Sequence, residues 1–106
     1  MAKKQRMLDP IPPGEILLED FLRPLEMSQQ KLARDIDVPP TRINDIVNGK
    51  RPITMDTALR LARYFGTSPE VWLNLQQRYD LATAQRKLGP ILEKAIQPLD
   101  RTALTE

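Results

Sequence analysis

The apolar positions of this chain recur at helical spacing, in short segments closed by proline, glycine or a capping polar residue. Pro12, Pro13 and Gly14 open "EILLEDFLRPL", where Leu17, Leu18, Phe21, Leu22 and Leu25 lie on one broad face and Pro24 shuts the helix near its end. Ser28 is a good N-cap for "QQKLARDI", which buries Leu32, Ala33 and Ile36 and stops at Asp37, a residue type that tolerates a left-handed turn. Pro40 suits the first position of a third helix, in which Ile43, Ile46 and Val47 form the inner side, and Asn48-Gly49 ends it. Thr54 caps a fourth helix that buries Ala58, Leu61, Ala62 and Phe65 before Gly66. A fifth begins at "TSPE", capped by Thr67 in a capping box with Glu70 or by Ser68 ahead of Pro69, and is expected to run through Arg86 or Lys87. No segment shows sustained alternation, so no strand is expected.

The second and third of these helices are separated by very little. Counting from Gln29, Ala33 is fifth, Asp37 ninth, Val38 tenth, Ile43 fifteenth and Ile46 eighteenth. This spacing resembles the helix-turn-helix of lambda-repressor-like proteins, and each position has a mechanical reason. A small residue at Ala33 lets the third helix cross closely over the second; Val38 plugs the turn; Ile43 and Ile46 anchor the third helix to the core. The fold class expected is therefore all-α, a five-helix lambda-repressor-like helix-turn-helix domain with a C-terminal helical extension. The expected division is a flexible N-terminal segment over 1–11, the helix-turn-helix domain with its long fifth helix over 12–88, and an extension over 89–106 with a disordered end.

On such a scaffold the third helix becomes a recognition helix. Pro40, Thr41, Arg42, Asn44 and Asp45 are candidates for contacting base edges in the major groove of double-stranded operator DNA, Arg favouring guanine, Asn adenine and Pro40 offering only apolar contact. Gln29 at the start of the second helix, with Lys50 and Arg51 just past the third, is placed to hold phosphates. The same polar face on an isolated helix would be an ordinary solvated surface; the surrounding motif gives it a purpose.

Composition removes other functions. The chain has 106 residues and neither Cys nor His, so the thiol nucleophile, the commonest zinc ligand and the commonest general base are missing. The acidic pairs Glu15 with Glu19 and Glu19 with Asp20 lie on an exposed helix face without a phosphate loop or metal cluster, and no enzyme activity, cofactor or metal is expected. A formal charge of +2 permits a polyanion partner without arguing for one. No run approaches a transmembrane length and the basic start does not lead into a signal-peptide stretch, so a cytoplasmic, membrane-free protein is expected.

The strings "PPGEILLEDFLRPLEMSQQKLA", "RINDIVNGKRPIT" and "DTALRLARYFGTSPEVWLNLQQRYDL" resemble the HigA or VapI branch of helix-turn-helix antitoxins over about Pro12 to Leu81. That resemblance implies a small repressor that neutralises a HigB-type toxin of the RelE-like ribonuclease group by binding it and represses their shared operon. Asp37 and Glu26 depart from it, standing where this branch commonly has glycine. The alternatives are a toxin-masking module without DNA binding, favoured by the acidic Asp45 on the recognition face, and a stand-alone autoregulatory repressor.

The fifth helix carries apolar residues on two sides. Val71, Trp72, Leu75, Tyr79 and Ala82 form one stripe, read as core; Leu73, Leu81, Ala84 and Leu88 fall on the other, with Leu59 of the fourth helix nearby. The second stripe points to a homodimer that reads two half-sites. The competing expectation is that "PILEKAIQPL" folds back and covers this stripe within one chain.

Overall fold

In the computed structural model, which describes residues 9–100 and 102, the chain is a set of five helices with no strand among the described residues. Helix α1 (Pro13–Ile16) starts with Pro13 at its first position and runs directly into a π-helical stretch, Leu17–Leu22. The widening is visible in the bond from Arg23 N to Leu18 O, 2.9 Å, five residues back. It lies just ahead of Pro24, whose ring would press on the carbonyl four residues earlier and which has no N–H to donate. Leu25, expected on the inner face, is instead exposed, because the chain is already turning there.

Helix α2 (Gln29–Asp35) is capped as expected: Ser28 Oγ accepts from Lys31 N at 3.0 Å. It ends in a left-handed residue, Asp37 with φ 61°, and Val38 N returns to Ala33 O at 2.9 Å. Glu26 has φ 52°. Both departures from the family's glycines therefore occupy the backbone conformation that favours glycine, and Asp is the better tolerated of the two types there.

Helix α3 (Pro40–Val47) buries Ile43 and Ile46 and ends at Gly49, φ 74°. Helix α4 (Met55–Phe65) buries Ala58, Leu61 and Ala62 and closes on Gly66, φ 75°, whose N–H and that of Thr67 both reach Ala62 O. Helix α5 (Pro69–Ala95) has Ser68 as its N-cap, although the Ser68 side chain makes no capping bond. Thr67 is not a capping-box residue: its hydroxyl accepts from Trp72 Nε1 at 2.9 Å, which lets the indole be wholly buried.

The core is aliphatic apart from one aromatic group. Leu17, Leu22, Leu32, Ile43, Ile46 and Leu61 are essentially inaccessible, each contributing about 1.5–3 kcal/mol by burial. Phe21 lies 4.9 Å from Phe65 and 4.8 Å from Trp72 between ring centroids, joining the π-helical stretch to α4 and α5. Phe65, expected fully buried, is only partly so.

Helix α5 extends well past the expected Arg86 or Lys87, through Gly89 and Pro90 to Ala95. A proline disfavours helical backbone in the residue before it partly through that residue's Cβ, and Gly89 has none. The freed carbonyl lies on a part of the helix exposed to solvent. The fold-back of "PILEKAIQPL" is therefore not formed: Leu81, Leu88, Ile91, Leu92, Ile96 and Leu99 are all exposed. Asp9, the first of the described residues, is held on the same helix, where Arg86 Nη1 meets its Oδ1 at 3.0 Å. The flexible opening segment expected over 1–11 falls, for residues 1–8, outside the described residues, as does the expected disordered end for 101 and 103–106.

Candidate nucleic-acid interface

Two close contacts fix where α3 sits. Gly14 at the start of α1 is packed on the last turn of α3, where a Cβ would fall inside the Ile46 carbonyl and 2.7 Å from Val47 Cα. Beyond α3, Ile53 N donates to Gln76 Oε1 of α5 at 2.7 Å, tying down the loop that carries Lys50 and Arg51. With Ile43 and Ile46 buried beneath, the outward face of α3 has a fixed orientation.

That face presents Pro40, Thr41, Asn44 and Asn48, all exposed, with Asp45 half-buried beside them. Asn44 is the hub of its polar bonds: its Nδ2 donates to Gln29 Oε1 at 3.3 Å, and its Oδ1 accepts from Asn48 Nδ2 at 3.1 Å. Gln29 is thus joined to the outward side chains of α3 rather than standing apart at the start of α2. Together with Ser28, Gln30, Pro40 and Thr41 these residues line a shallow concavity between α2 and α3. Amide groups in such an arrangement offer both donors and acceptors to a base edge.

Arg42 does not share this face. At about 100° per residue it stands roughly a quarter turn round α3 from Thr41, and its guanidinium is turned toward α4, where Nη1 meets Asp56 Oδ2 at 2.7 Å. Asp56 is also bound by Arg60 Nε, at 3.1 and 3.2 Å, and Arg60 Nη1 donates to the carbonyls of Ile36 and Asp37 in the turn, at 2.9 and 3.2 Å. The Arg60 bonds, and then those from Arg42, hold the Asp56 carboxyl below the usual range. Asp56 and Arg60 were not among the residues singled out from sequence. Their spacing of four on a helix was a visible signal of an ion pair, but nothing in the pattern showed that Arg42 would reach it.

Lys50 and Arg51 sit in the exposed turn after α3, and among the described residues neither has an ion-pair partner. They border a concavity between the start of α1 and α5, and both cations are free to meet an anion such as a phosphate. On the other side of α2, Tyr64 donates to Asp35 Oδ2 at 2.6 Å and Lys31 Nζ donates to the same oxygen at 2.9 Å. The Tyr64 and Lys31 bonds lower the Asp35 pKa, and the Asp35 carboxylate raises those of Tyr64 and Lys31. This cluster braces α2 against α4.

The two-sided reading of α5 is modified at two positions. Val71 of the expected core stripe is exposed, whereas Leu73 of the expected dimer stripe is partly buried and packed on this chain's own core. Near its start α5 packs on α4 and α1, which turns Leu73 onto the core while Val71 stays outside; further along, the side carrying Leu81 is exposed. Leu81, Ala84 and Leu88 remain exposed, as does Leu59. Among the described residues no helix is long and apolar enough to cross a membrane, and no group of three His, Cys, Asp or Glu side chains could hold a metal ion.

Comparison with known proteins agrees with this geometry. The Helix-turn-helix family model HTH_3 matches residues 18–72. Virulence-associated protein I of Dichelobacter nodosus is 53% identical over 76 residues, covering 72% of this chain and 70% of that protein. The solved structure of an addiction module antidote protein of the HigA family from Coxiella burnetii superimposes with a TM-score of 0.81 at 49% identity, over 86% of this chain and 99% of that one. The Pseudomonas aeruginosa antitoxin HigA, solved with the higBA promoter, does so with a TM-score of 0.84 at 47% identity, again over 86% and 99%.

Proposed function

Because this chain belongs to the helix-turn-helix family, in its HigA and VapI antitoxin branch, we propose that it is a sequence-specific transcriptional repressor and the antitoxin of a HigB-type, RelE-like ribonuclease toxin. The family is one of regulators and antitoxins, not of enzymes.

The observation that carries the DNA-binding half is the outward face of α3. Its polar side chains are held by a buried inner side, a glycine contact that leaves no room for displacement, and a hydrogen-bonded pair between Asn44 and Gln29. In this reading Thr41, Asn44 and Asp45, with Gln29 beside them, contact base edges, Pro40 makes apolar contact, and Lys50 and Arg51 hold phosphates on the flank. Asp45 then accepts from a cytosine amino group, the one base-edge partner in the major groove that favours a carboxylate.

The protein acts as a homodimer in the cytoplasm. Leu81, Ala84 and Leu88 on the projecting part of α5 supply the self-facing surface, and a two-fold pair places two copies of α3 about one DNA turn apart. Autoregulation follows if the operator lies upstream of the protein's own gene, with the toxin occupying a different surface.

A mobility-shift titration against the DNA upstream of its own gene, with an unrelated duplex as competitor at fixed salt, tests this reading. Specific complexes that survive excess unrelated DNA support it. Equal binding to both duplexes, or none, leaves the toxin-masking module that Asp45 favours.

A further inference from the structure

The chain of contacts from Arg60 through Asp56 to Arg42 lies outside the apolar core, with the Asp56 side chain 53% exposed and that of Arg42 27%. It sits beside the outward face of α3. We propose that Asp56 is a positioning residue that occupies the Arg42 guanidinium in place of a DNA phosphate, and that it thereby limits sequence-independent binding. This assignment rests on the DNA-binding reading above.

Three observations support it. Arg42 is on the α4 flank of α3, away from the face shared by Thr41, Asn44 and Asn48, so a guanidinium there borders the groove and faces backbone rather than base edges. Its partner is a carboxylate, an anion that presents two oxygens to a guanidinium much as phosphate does, and the 2.7 Å contact is the charge-assisted bond a phosphate would otherwise make. Finally, Asp56 is not free to leave, because Arg60 grips both of its oxygens while itself anchored on the Ile36 and Asp37 carbonyls. The turn of the helix-turn-helix thus holds the carboxylate in place, and the carboxylate holds Arg42.

The consequence is electrostatic. A cation already paired within the protein gains less from a phosphate and releases fewer counterions when it meets one. Lys50 and Arg51 remain available for backbone contact, while Arg42 is engaged only where the outward face of α3 is seated on its own sequence and brings a phosphate close enough to compete with Asp56. Affinity for arbitrary DNA is lowered more than affinity for the operator.

The test is fluorescence anisotropy of the full chain on its own upstream duplex and on an unrelated duplex, at several salt concentrations between about 50 and 200 mM. The proteins compared are wild type, Asp56→Asn, Asp56→Glu, Arg42→Ala and the Arg42→Ala/Asp56→Asn double variant, with melting curves on each. Asp56→Asn is expected to tighten binding to the unrelated duplex by roughly threefold to tenfold and to steepen the log–log salt dependence by about one. Its specificity ratio falls, Asp56→Glu keeps wild-type behaviour, and in the Arg42→Ala background the Asn substitution changes little. Weaker binding or an unfolded protein in Asp56→Asn, an unchanged slope, or the same gain in the Arg42→Ala background overturns the proposal; the last would mean that Asp56 merely repels DNA. If wild type binds neither duplex, the underlying DNA-binding reading has failed instead.

Discussion

Gly14 and Ile46 touch backbone to backbone: the second residue of the first helical segment lies on a carbonyl in the last turn of α3, with no space between them for a single methyl group. Gly14 has no special backbone angle to explain its presence. Its value is that α1 and α3 approach so closely that α3 cannot tilt or slide.

Gly14→Ala is therefore expected to destabilise the fold despite the helix propensity that alanine gains. The obstacle is backbone, which cannot rotate away as a side chain would, so the cost should be at or above the usual 1–3 kcal/mol for overpacking, roughly. Thermal melting measures it, and DNA affinity should fall in parallel because α3 is displaced. An alanine variant with wild-type stability would mean that α1 and α3 are not in this contact.

Leu73 and Leu81, two turns apart on α5, should respond in opposite ways to the same change. Leu73→Glu places a charge against the protein's own core and should unfold it. Leu81→Glu acts on a side chain that is 56% exposed, so the helix content stays while the proposed pair dissociates. Sedimentation over a concentration series with circular dichroism separates the two. A wild-type monomer at tens of micromolar, roughly the range of interest for a moderate pair, contradicts the dimer.

Much of this was legible in the sequence, because the helix boundaries are written in Ser28, Pro40, Gly49, Gly66 and Pro69 and the core in residues at helical spacing. Less legible was anything decided by contacts between segments. Arg42 reads as a base contact along α3 and is found on Asp56 of α4; Thr67 reads as a cap and is found on Trp72. The fifth helix reads as running through Arg86 or Lys87, yet α5 continues through Gly89 and Pro90, since the missing Cβ at Gly89 relieves the steric objection. The widened turn in Leu17–Leu22 had a signal in Pro24, but the proline predicted a stop rather than a change of pitch.

The brace between Tyr64 and Asp35 should give stability a defined pH window. Asp35 has a lowered pKa, caused first by the Tyr64 bond and then by Lys31, so its contribution is complete above the ordinary carboxylate range and is lost as pH falls through the depressed value. Tyr64 has a raised pKa, so its contribution is complete below the ordinary phenol range and is lost as pH rises through the raised value. The stability difference between wild type and Tyr64→Phe is thus expected to be flat between those ranges and to shrink at both ends. Urea melts across pH measure it; a difference that does not change with pH contradicts the assignment.

Base and backbone contacts should be distinguishable on α3. Asn44→Ala is expected to lose discrimination at one or two base pairs, about 1–3 kcal/mol for the preferred base. Lys50→Ala should weaken all sequences similarly and reduce the salt slope by about one. Both can be read from titrations over single-base operator variants. Matching behaviour in the two variants would mean that the outward face of α3 does not enter the groove.

A hydroxyl-radical footprint of wild type and Leu81→Glu on the DNA upstream of the gene tests most directly the claim that two copies of α3 read two half-sites. The account predicts two protected patches related by two-fold symmetry, with centres about 10 base pairs apart or a small multiple of that, and loss of both patches in Leu81→Glu at the same protein concentration. A single unsymmetrical patch, protection spread evenly along the DNA, or an unchanged footprint in Leu81→Glu would contradict it.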